Sequence, residues 1–215
     1  MKFALTLQCA ILTSLLSFSA MAASCPPQGR GGDPIANRLQ NRREIPATYQ
    51  ELDVPTLEST FTPDLHTPAM RDQFTPAQIN YIAPRERRAI ALTGYLLMAE
   101  HAAHSPANCG SYLHRDILMW VSTVPEIHPR EAKLLRAKSV LVQLTPASQA
   151  AHPDWRLNQL EHLARRGAQV RISGWLYYDA SARAALGKTR ATLWAISPVT
   201  RIEIWKNGGW KADLR

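Results

Sequence analysis

The chain has 215 residues and a formal charge of +8, with 25 Lys and Arg against 17 Asp and Glu. This length is ample for one hydrophobic core, and no run beyond the first 22 residues approaches the ~20 apolar residues of a membrane-spanning helix. The basic balance favours anionic partners such as nucleic acid, phospholipid headgroups or acidic glycans, or it serves solubility alone.

The N-terminus is typical of a secretory signal peptide. Lys2 precedes the apolar run Phe3 to Phe18, and the small residues at 20–22 predict cleavage before Ala23. Removing residues 1–22 takes away one basic and no acidic residue, which leaves a mature charge of +7. We therefore expect a periplasmic or secreted protein. The alternatives are a transmembrane anchor, for which the run is short, and a lipoprotein modified at Cys25.

Cleavage removes Cys9 and leaves Cys25 and Cys109. An even count of cysteines in an oxidising compartment predicts a disulfide between them. The bridge would tie the mature N-terminus to the folded domain. A reactive or metal-binding thiol at Cys109 is the alternative.

Residues 23–86 are predicted to form a proline-rich N-terminal arm. They contain nine of the fifteen prolines and no sustained apolar alternation. Thr62, Thr67 and Thr75 each precede a proline, which is a start signal for short helical turns. Thr75 together with Gln78 completes a capping box.

Residues 87–206 alternate in the manner of β-strands around one amphipathic helix. The predicted strands are Ala89–Ala99, a second from Asp116, a third from Ser139, and two more within 169–205; a short helix covers Pro129–Lys138. The main helix runs from about Pro153 to Arg166, with Leu157, Leu160 and Leu163 on its apolar side. Residues 207–215 are predicted to form a C-terminal hairpin and tail, because Asn207-Gly208 is a hairpin turn signal.

The predicted order is therefore β-β-β-α-β-β. A helix between the third and fourth of five strands is the connectivity of an OB-fold barrel. The expected fold class is all-β with one main helix, a five-stranded OB-like barrel preceded by the proline-rich arm.

The fourth predicted strand carries the candidate ligand-binding residues. Arg171, Trp175 and Tyr177 project to one side, and a cation with two aromatics is typical of a platform that stacks bases or sugars. Tyr95 on the first strand is added to this set. The alternative is that Trp175 and Tyr177 pack under the arm.

The connection between the first two strands carries weak candidate metal ligands. These are His101, His104, His114 and Asp116, near Cys109. Histidine and carboxylate groups suit zinc or another borderline ion, but their spacing is irregular, and solvated loop histidines are the alternative. Glu126 and His128 could form an acid/base pair, or lie in an exposed loop. No phosphate-binding glycine loop, G-x-S-x-G or H-E-x-x-H motif is present.

Several segments together resemble a family of exported bacterial OB-fold-like proteins of unassigned function. The resembling segments are 92–95, 108–109, 116–120, 142–146, 170–175, 178–179 and 190–200, within residues 88 to 205. The family pattern places His, Glu and His where this chain has Leu118, Ala195 and Ser197, while Asp116 is retained. The resemblance implies the fold, and these departures weaken an inherited enzymatic activity.

The sequence as a whole favours an exported non-enzymatic binding module with no cofactor. Its partner is predicted to be a polyanion or single-stranded nucleic acid, or a protein that docks on the arm. The alternatives are a metal-dependent phosphodiester hydrolase and a structural component of the cell envelope.

Overall fold

The structure is a computed structural model that describes residues 25–62, 66–212 and 214. The predicted signal peptide, residues 1–22, lies outside the described residues. In chain order the elements are α1 (Pro34–Gln40), β1 (Gln50–Asp53), α2 (Val54–Thr60), α3 (Pro76–Glu86), β2 (Ala89–His101), β3 (Ile117–Ser122), α4 (Pro129–Leu135), β4 (Val140–Leu144), α5 (Pro146–Ala151), α6 (Leu157–Arg165), β5 (Gln169–Tyr178), β6 (Trp194–Lys206) and β7 (Gly209–Lys211).

Five of the strands close into a barrel. The hydrogen-bonded order is β2-β3-β4-β6-β5, and β5 pairs again with β2. β4 and β6 are parallel, meeting at Val142 and Ile196, and the other barrel pairs are antiparallel. With α6 between β4 and β5 in the chain, this is the OB-like barrel that the sequence predicts.

The predicted main helix joins the barrel core. α6 packs against β2, and its Leu160 and Leu163 are 0% and 3% exposed within the main apolar cluster. Gly167, with φ +57°, follows the last turn and ends the helix. The predicted short helix before β4 is also confirmed, as α4 followed by a 3-10 turn over Arg136–Lys138.

The arm contains a strand that its sequence pattern does not predict. β1 runs parallel to the first half of β2, from Gln50 beside Ile90 to Asp53 beside Thr93. The Thr75–Gln78 capping box is confirmed at the start of α3, and α3 is longer than α6. Thr67 starts no helix, and Pro63 lies outside the described residues.

Both ends of the folded chain are fastened. Cys25 and Cys109 form the predicted disulfide, which ties the arm to the β2–β3 loop (residues 102–116). At the other end β7 pairs with β6 as Trp205–Trp210, which confirms the predicted hairpin. Within the described ranges, none of the helices has the length and apolar character to cross a membrane.

Candidate binding surface

The arm covers the C-terminal half of the outer face of β5. Tyr177 is 3% exposed, and its hydroxyl accepts a hydrogen bond of 3.0 Å from Gln40 Nε2. Burial raises the pKa of Tyr177. The Trp175 indole donates to the carbonyl of Glu44 at 2.8 Å. These two predicted ligand residues therefore pack against the arm and do not form an open platform. We call the contact of Trp175 and Tyr177 with Gln40 and Glu44 the arm seam.

Arg42 reinforces the arm seam from the arm side. Its guanidinium lies 4.9 Å from the centre of the Trp175 ring and donates to the carbonyls of Glu86 and Leu176 at 2.7 and 3.3 Å. Burial lowers the pKa of Arg42 to about 10. Because its donors serve backbone carbonyls of α3 and β5, this cation holds the arm and is not directed at solvent.

A buried ion pair fixes the arm next to the seam. Arg71 Nη1 and Nη2 donate to the two oxygens of Glu86 at 2.8 and 2.6 Å. Arg71 also donates to the carbonyl of Tyr178, and the Tyr178 amide donates to Glu86. Both side chains are nearly inaccessible, at 7% and 5% exposure. A bidentate pair that also satisfies backbone groups is a strong positional constraint.

The end of the barrel where OB folds usually bind ligands is also occupied by the arm. A cleft of about 260 Å³ lies between the arm, the β2–β3 loop and the β5–β6 loop (residues 179–193). Its polar groups already have partners: Asp33 accepts from the amides of Ile35, Ala36 and Arg71, and Gln40 bonds Tyr177. Loops in these positions bind oligonucleotides and oligosaccharides in other OB folds, but here they contact the arm.

Arg171, at the opposite end of β5, lies on a different surface. It donates to Glu203 at 2.8 and 3.0 Å and to Glu51 at 3.1 Å, and its guanidinium lies 5.0 Å from the centre of the Trp210 ring. Arg201 shares Glu203, at 2.7 Å. The structure thus separates Arg171 from Trp175 and Tyr177 and places it beside the C-terminal hairpin.

Two tryptophans of that hairpin were missed as site residues. Trp205 and Trp210 are paired across β6 and β7, with ring centres 5.2 Å apart and planes at 73°. Trp205 is 47% exposed. The sequence does contain a signal for this pair, which is the predicted hairpin turn at Asn207-Gly208. Such a turn places the strand residues on its two sides opposite one another. We call Arg171, Arg201, Glu203, Trp205 and Trp210 the hairpin face.

Tyr95 lies one strand away from this face. It is half-buried on β2, where it pairs with Ser122 of β3 and with Gln169 of β5. Its neighbour in the register, Thr93, pairs with Arg171. Of the four predicted ligand residues, Tyr95 and Arg171 therefore share one surface, and Trp175 and Tyr177 lie in the arm seam.

The weak metal candidates do not converge. Asp116 is 1% exposed and accepts a 2.9 Å hydrogen bond from Gln143, whereas His101 and His114 are exposed. The ring of His104 contacts Tyr112 at 3.8 Å. Among residues 25–62, 66–212 and 214, no group of three or more His, Cys, Asp or Glu side chains is placed to hold a metal ion.

Of the three positions that depart from the family pattern, Ser197 joins a buried hydrogen-bonded chain with Gln143 and Asp116, whereas Ala195 and Leu118 are apolar. Ser197 is fully buried and donates to Gln143 at 3.0 Å, and Gln143 donates in turn to Asp116. Ala195 is buried, and Leu118 packs on the smaller apolar cluster of Leu97, Trp120 and Ala132. Burial raises the pKa of Asp116.

Comparison of the chain with family models, with curated proteins and with solved structures found no match in any of the three. The resemblance to exported OB-fold-like proteins therefore stays a prediction. The class that the geometry defines is a closed OB-like barrel carrying a fastened N-terminal arm.

Proposed function

We propose that the protein is an exported, non-enzymatic binding module whose hairpin face binds single-stranded oligonucleotide or another polyanion. The observation that carries this proposal is the Trp205 indole, which is 47% exposed and lies next to Trp210, whose ring centre is 5.0 Å from the Arg171 guanidinium. Every base offers a π-face, so an exposed indole with adjacent cations binds single strands with little sequence preference.

The charge of the surface supports an anionic ligand. Glu203 is 3% exposed and is shared by Arg171 and Arg201, so the outward charge of this trio is positive. Lys206 and Lys211 directly follow the two tryptophans and are exposed, but strand alternation places them on the opposite side of the hairpin, so they add positive charge near the face and not on it. Glu51 supplies the opposing exposed charge, at 73% exposure of its side chain.

The proposal gives no residue a catalytic role. Glu126 and His128, the candidate acid/base pair, contact each other at 2.9 Å in an exposed loop. Both contacts of Glu126 are with His128, one through the His128 amide and one through its ring, so neither contact involves a hydroxyl or a thiol. The two side chains therefore form a hydrogen bond at the surface, with no nucleophile among the described residues bonded to them.

The disulfide bears on the form in which the protein is exported. Lipoprotein maturation converts the sulfur of the cysteine at the mature N-terminus, here Cys25, into a thioether. A sulfur that is bonded to Cys109 cannot form that thioether. The bond between Cys25 and Cys109 therefore supports a periplasmic or secreted protein over the lipidated alternative.

The test is the affinity of the mature protein for a fluorescently labelled oligothymidylate, measured by anisotropy at several salt concentrations. Wild type should bind more weakly as salt rises, because phosphate contacts release counterions. Trp205→Ala should weaken binding about 5-fold to 150-fold, the equivalent of ~1–3 kcal/mol for one stacked base. Tyr112→Ala is the matched control, since Tyr112 is an aromatic residue 79% exposed on a different loop.

A second substitution tests the charge. Arg201→Gln should reduce the slope of log affinity against log salt by about one, as loss of one phosphate contact does. Equal effects of the Trp205 and Tyr112 substitutions, or no binding by wild type, would contradict the proposal. Recovery of intact oligonucleotide after incubation with Mg²⁺ or Zn²⁺ distinguishes binding from the hydrolase alternative.

A further inference from the structure

The β2–β3 loop carries the two most exposed large hydrophobic side chains of the described residues. Leu113 is 90% exposed and Tyr112 is 79% exposed, and they are adjacent in the chain. Neither belongs to the main or the smaller apolar cluster. We call these two residues the loop tip. Large exposed apolar side chains gathered at one place mark a surface that contacts another phase or molecule.

The loop tip is held in place by the structure beneath it. Cys109 and Gly110 form a tight turn with φ of 54° and 68°, and the amides of 109–111 donate to carbonyls of 105, 106 and 108 at 2.9–3.1 Å. The disulfide fastens the same turn to the arm. The His104 ring packs on Tyr112 at 3.8 Å between ring centres. Because the loop is already fixed, little conformational entropy remains to be lost when the tip binds.

The loop and the arm segment beside it contain basic residues and no acidic ones. Residues 101–115 contain Arg115 and three histidines and no Asp or Glu. Residues 25–32 of the arm, which contain Arg30 and no acidic residue, lie against this loop through the Arg30 amide, 2.9 Å from the carbonyl of Pro106. Of the acidic residues that bracket the loop, Asp116 is 1% exposed, and Glu100 pairs with Arg136 at 3.6 Å.

The apolar area of the tip is too small to form a stable protein–protein interface by itself. A fully covered aromatic side chain buries about 150–250 Å², whereas a stable protein–protein interface needs about 800 Å² from each partner. A lipid surface has no such requirement. A tyrosine ring suits the boundary between headgroups and acyl chains, a leucine suits the acyl side, and nearby cations are attracted to anionic headgroups.

We propose that the β2–β3 loop docks the protein on an anionic lipid surface by inserting Tyr112 and Leu113 between the headgroups. Arg30 and Arg115 provide the attraction to negative charge. This docking surface is separate from the hairpin face and does not depend on the oligonucleotide proposal.

The experiment is co-sedimentation of the mature protein with vesicles of phosphatidylcholine, alone or mixed with an equal part of phosphatidylglycerol. Wild type should sediment with the mixed vesicles and only weakly with phosphatidylcholine alone. Leu113→Ser should lower the partition coefficient about tenfold, because it removes an inserted apolar side chain. Leu134→Ser is the matched control, because Leu134 is 73% exposed on α4 and should leave the coefficient unchanged.

Charge is tested with Arg30→Gln combined with Arg115→Gln, which should remove most of the preference for phosphatidylglycerol. Equal effects of the two leucine substitutions would overturn the proposal, and so would failure of wild type to bind mixed vesicles. Melting temperatures should be the same for Leu113→Ser and wild type, since the side chain touches no core. Oligonucleotide binding by Leu113→Ser should be unchanged, which separates this test from that of the hairpin face.

Discussion

Arg71 and Glu86 form a bidentate ion pair that is buried from solvent and that joins the arm to the barrel through further hydrogen bonds. Both residues belong to the arm, yet their remaining hydrogen bonds go to the carbonyl and the amide of Tyr178 at the end of β5. The pair therefore satisfies backbone groups of the barrel with side chains of the arm. It makes the arm an integral part of the fold.

Replacing Glu86 with glutamine should be strongly destabilising. The change leaves the Arg71 guanidinium buried without a counter-charge, and breaking a buried pair in this way costs about 3–5 kcal/mol. Urea unfolding measures the loss. Glu161→Gln is the control, because it breaks only the exposed i,i+4 pair with Arg165 at 3.7 Å and should cost less than about 0.5 kcal/mol. Similar midpoints for the two variants would contradict the role given to Glu86.

Trp175→Ala should lower stability more than Trp205→Ala. Trp175 bonds Glu44 and lies beneath Arg42, so its truncation opens the arm seam at a cost of up to about 3 kcal/mol. Trp205 is half-exposed, and its loss should cost about 0.5 kcal/mol. Thermal melts of the two variants give the order directly. The reverse order would mean that the arm does not bear on Trp175.

Loss of the disulfide should destabilise the mature protein substantially. The bridge closes a loop between residues 84 apart, and constraint of the unfolded chain over that length contributes about 4–5 kcal/mol in the chain-entropy model. Cys25→Ser combined with Cys109→Ser should show this loss, and reducing agent should shift the wild type but not the double variant. Two free thiols in the non-reduced protein, found by mass spectrometry, would contradict the bridge.

Leu160→Ala should show that α6 is part of the core. The side chain is fully buried, and truncation of such a leucine costs about 2–5 kcal/mol. Leu134→Ala, at an exposed site on α4, should change stability by no more than about 0.5 kcal/mol. A small effect at both positions, measured in denaturant, would place α6 outside the core.

Asp116→Asn should change how stability depends on pH. Burial raises the pKa of Asp116 in the folded protein, so the folded state holds its proton more tightly than the unfolded chain does. The stabilisation from the neutral carboxyl is full below the unfolded value of about 3.9 and is lost as pH rises through the folded pKa. The variant should therefore melt higher than wild type at neutral pH, and the difference should vanish near pH 3. A difference that stays constant with pH would assign it to packing.

The barrel could be predicted because its signals are local. Alternation along β5, the apolar stripe of α6 and the turn at Asn207-Gly208 each lie within one element, and their order alone defines the OB-like connectivity. Simple alternation fails at one place, a bulge between Leu96 and Met98. Alternation from Leu96 would put Met98 on the core face, but the bulge turns Met98 towards the smaller cluster and brings Ala99 into the core instead.

The binding surface could not be predicted to the same degree, because it depends on long-range contacts. Alternation places Arg171, Trp175 and Tyr177 on one side of β5, but it contains no information about what covers them. The covering groups are Gln40, Arg42 and Glu44, more than 130 residues earlier in the chain. β1 escaped prediction for a similar reason, since four residues in a proline-rich segment acquire strand geometry only by pairing with β2.

The bond between Cys25 and Cys109 also determines what a protease can do to this protein. The arm, β1, α3 and all of β2 lie between these two cysteines. A single cut anywhere in that stretch leaves two fragments that are still covalently joined, so the cleaved chain migrates as one species until it is reduced. In a cleaved molecule the arm therefore stays at the high effective concentration of an intramolecular segment. If it dissociates from the barrel, it can bind again.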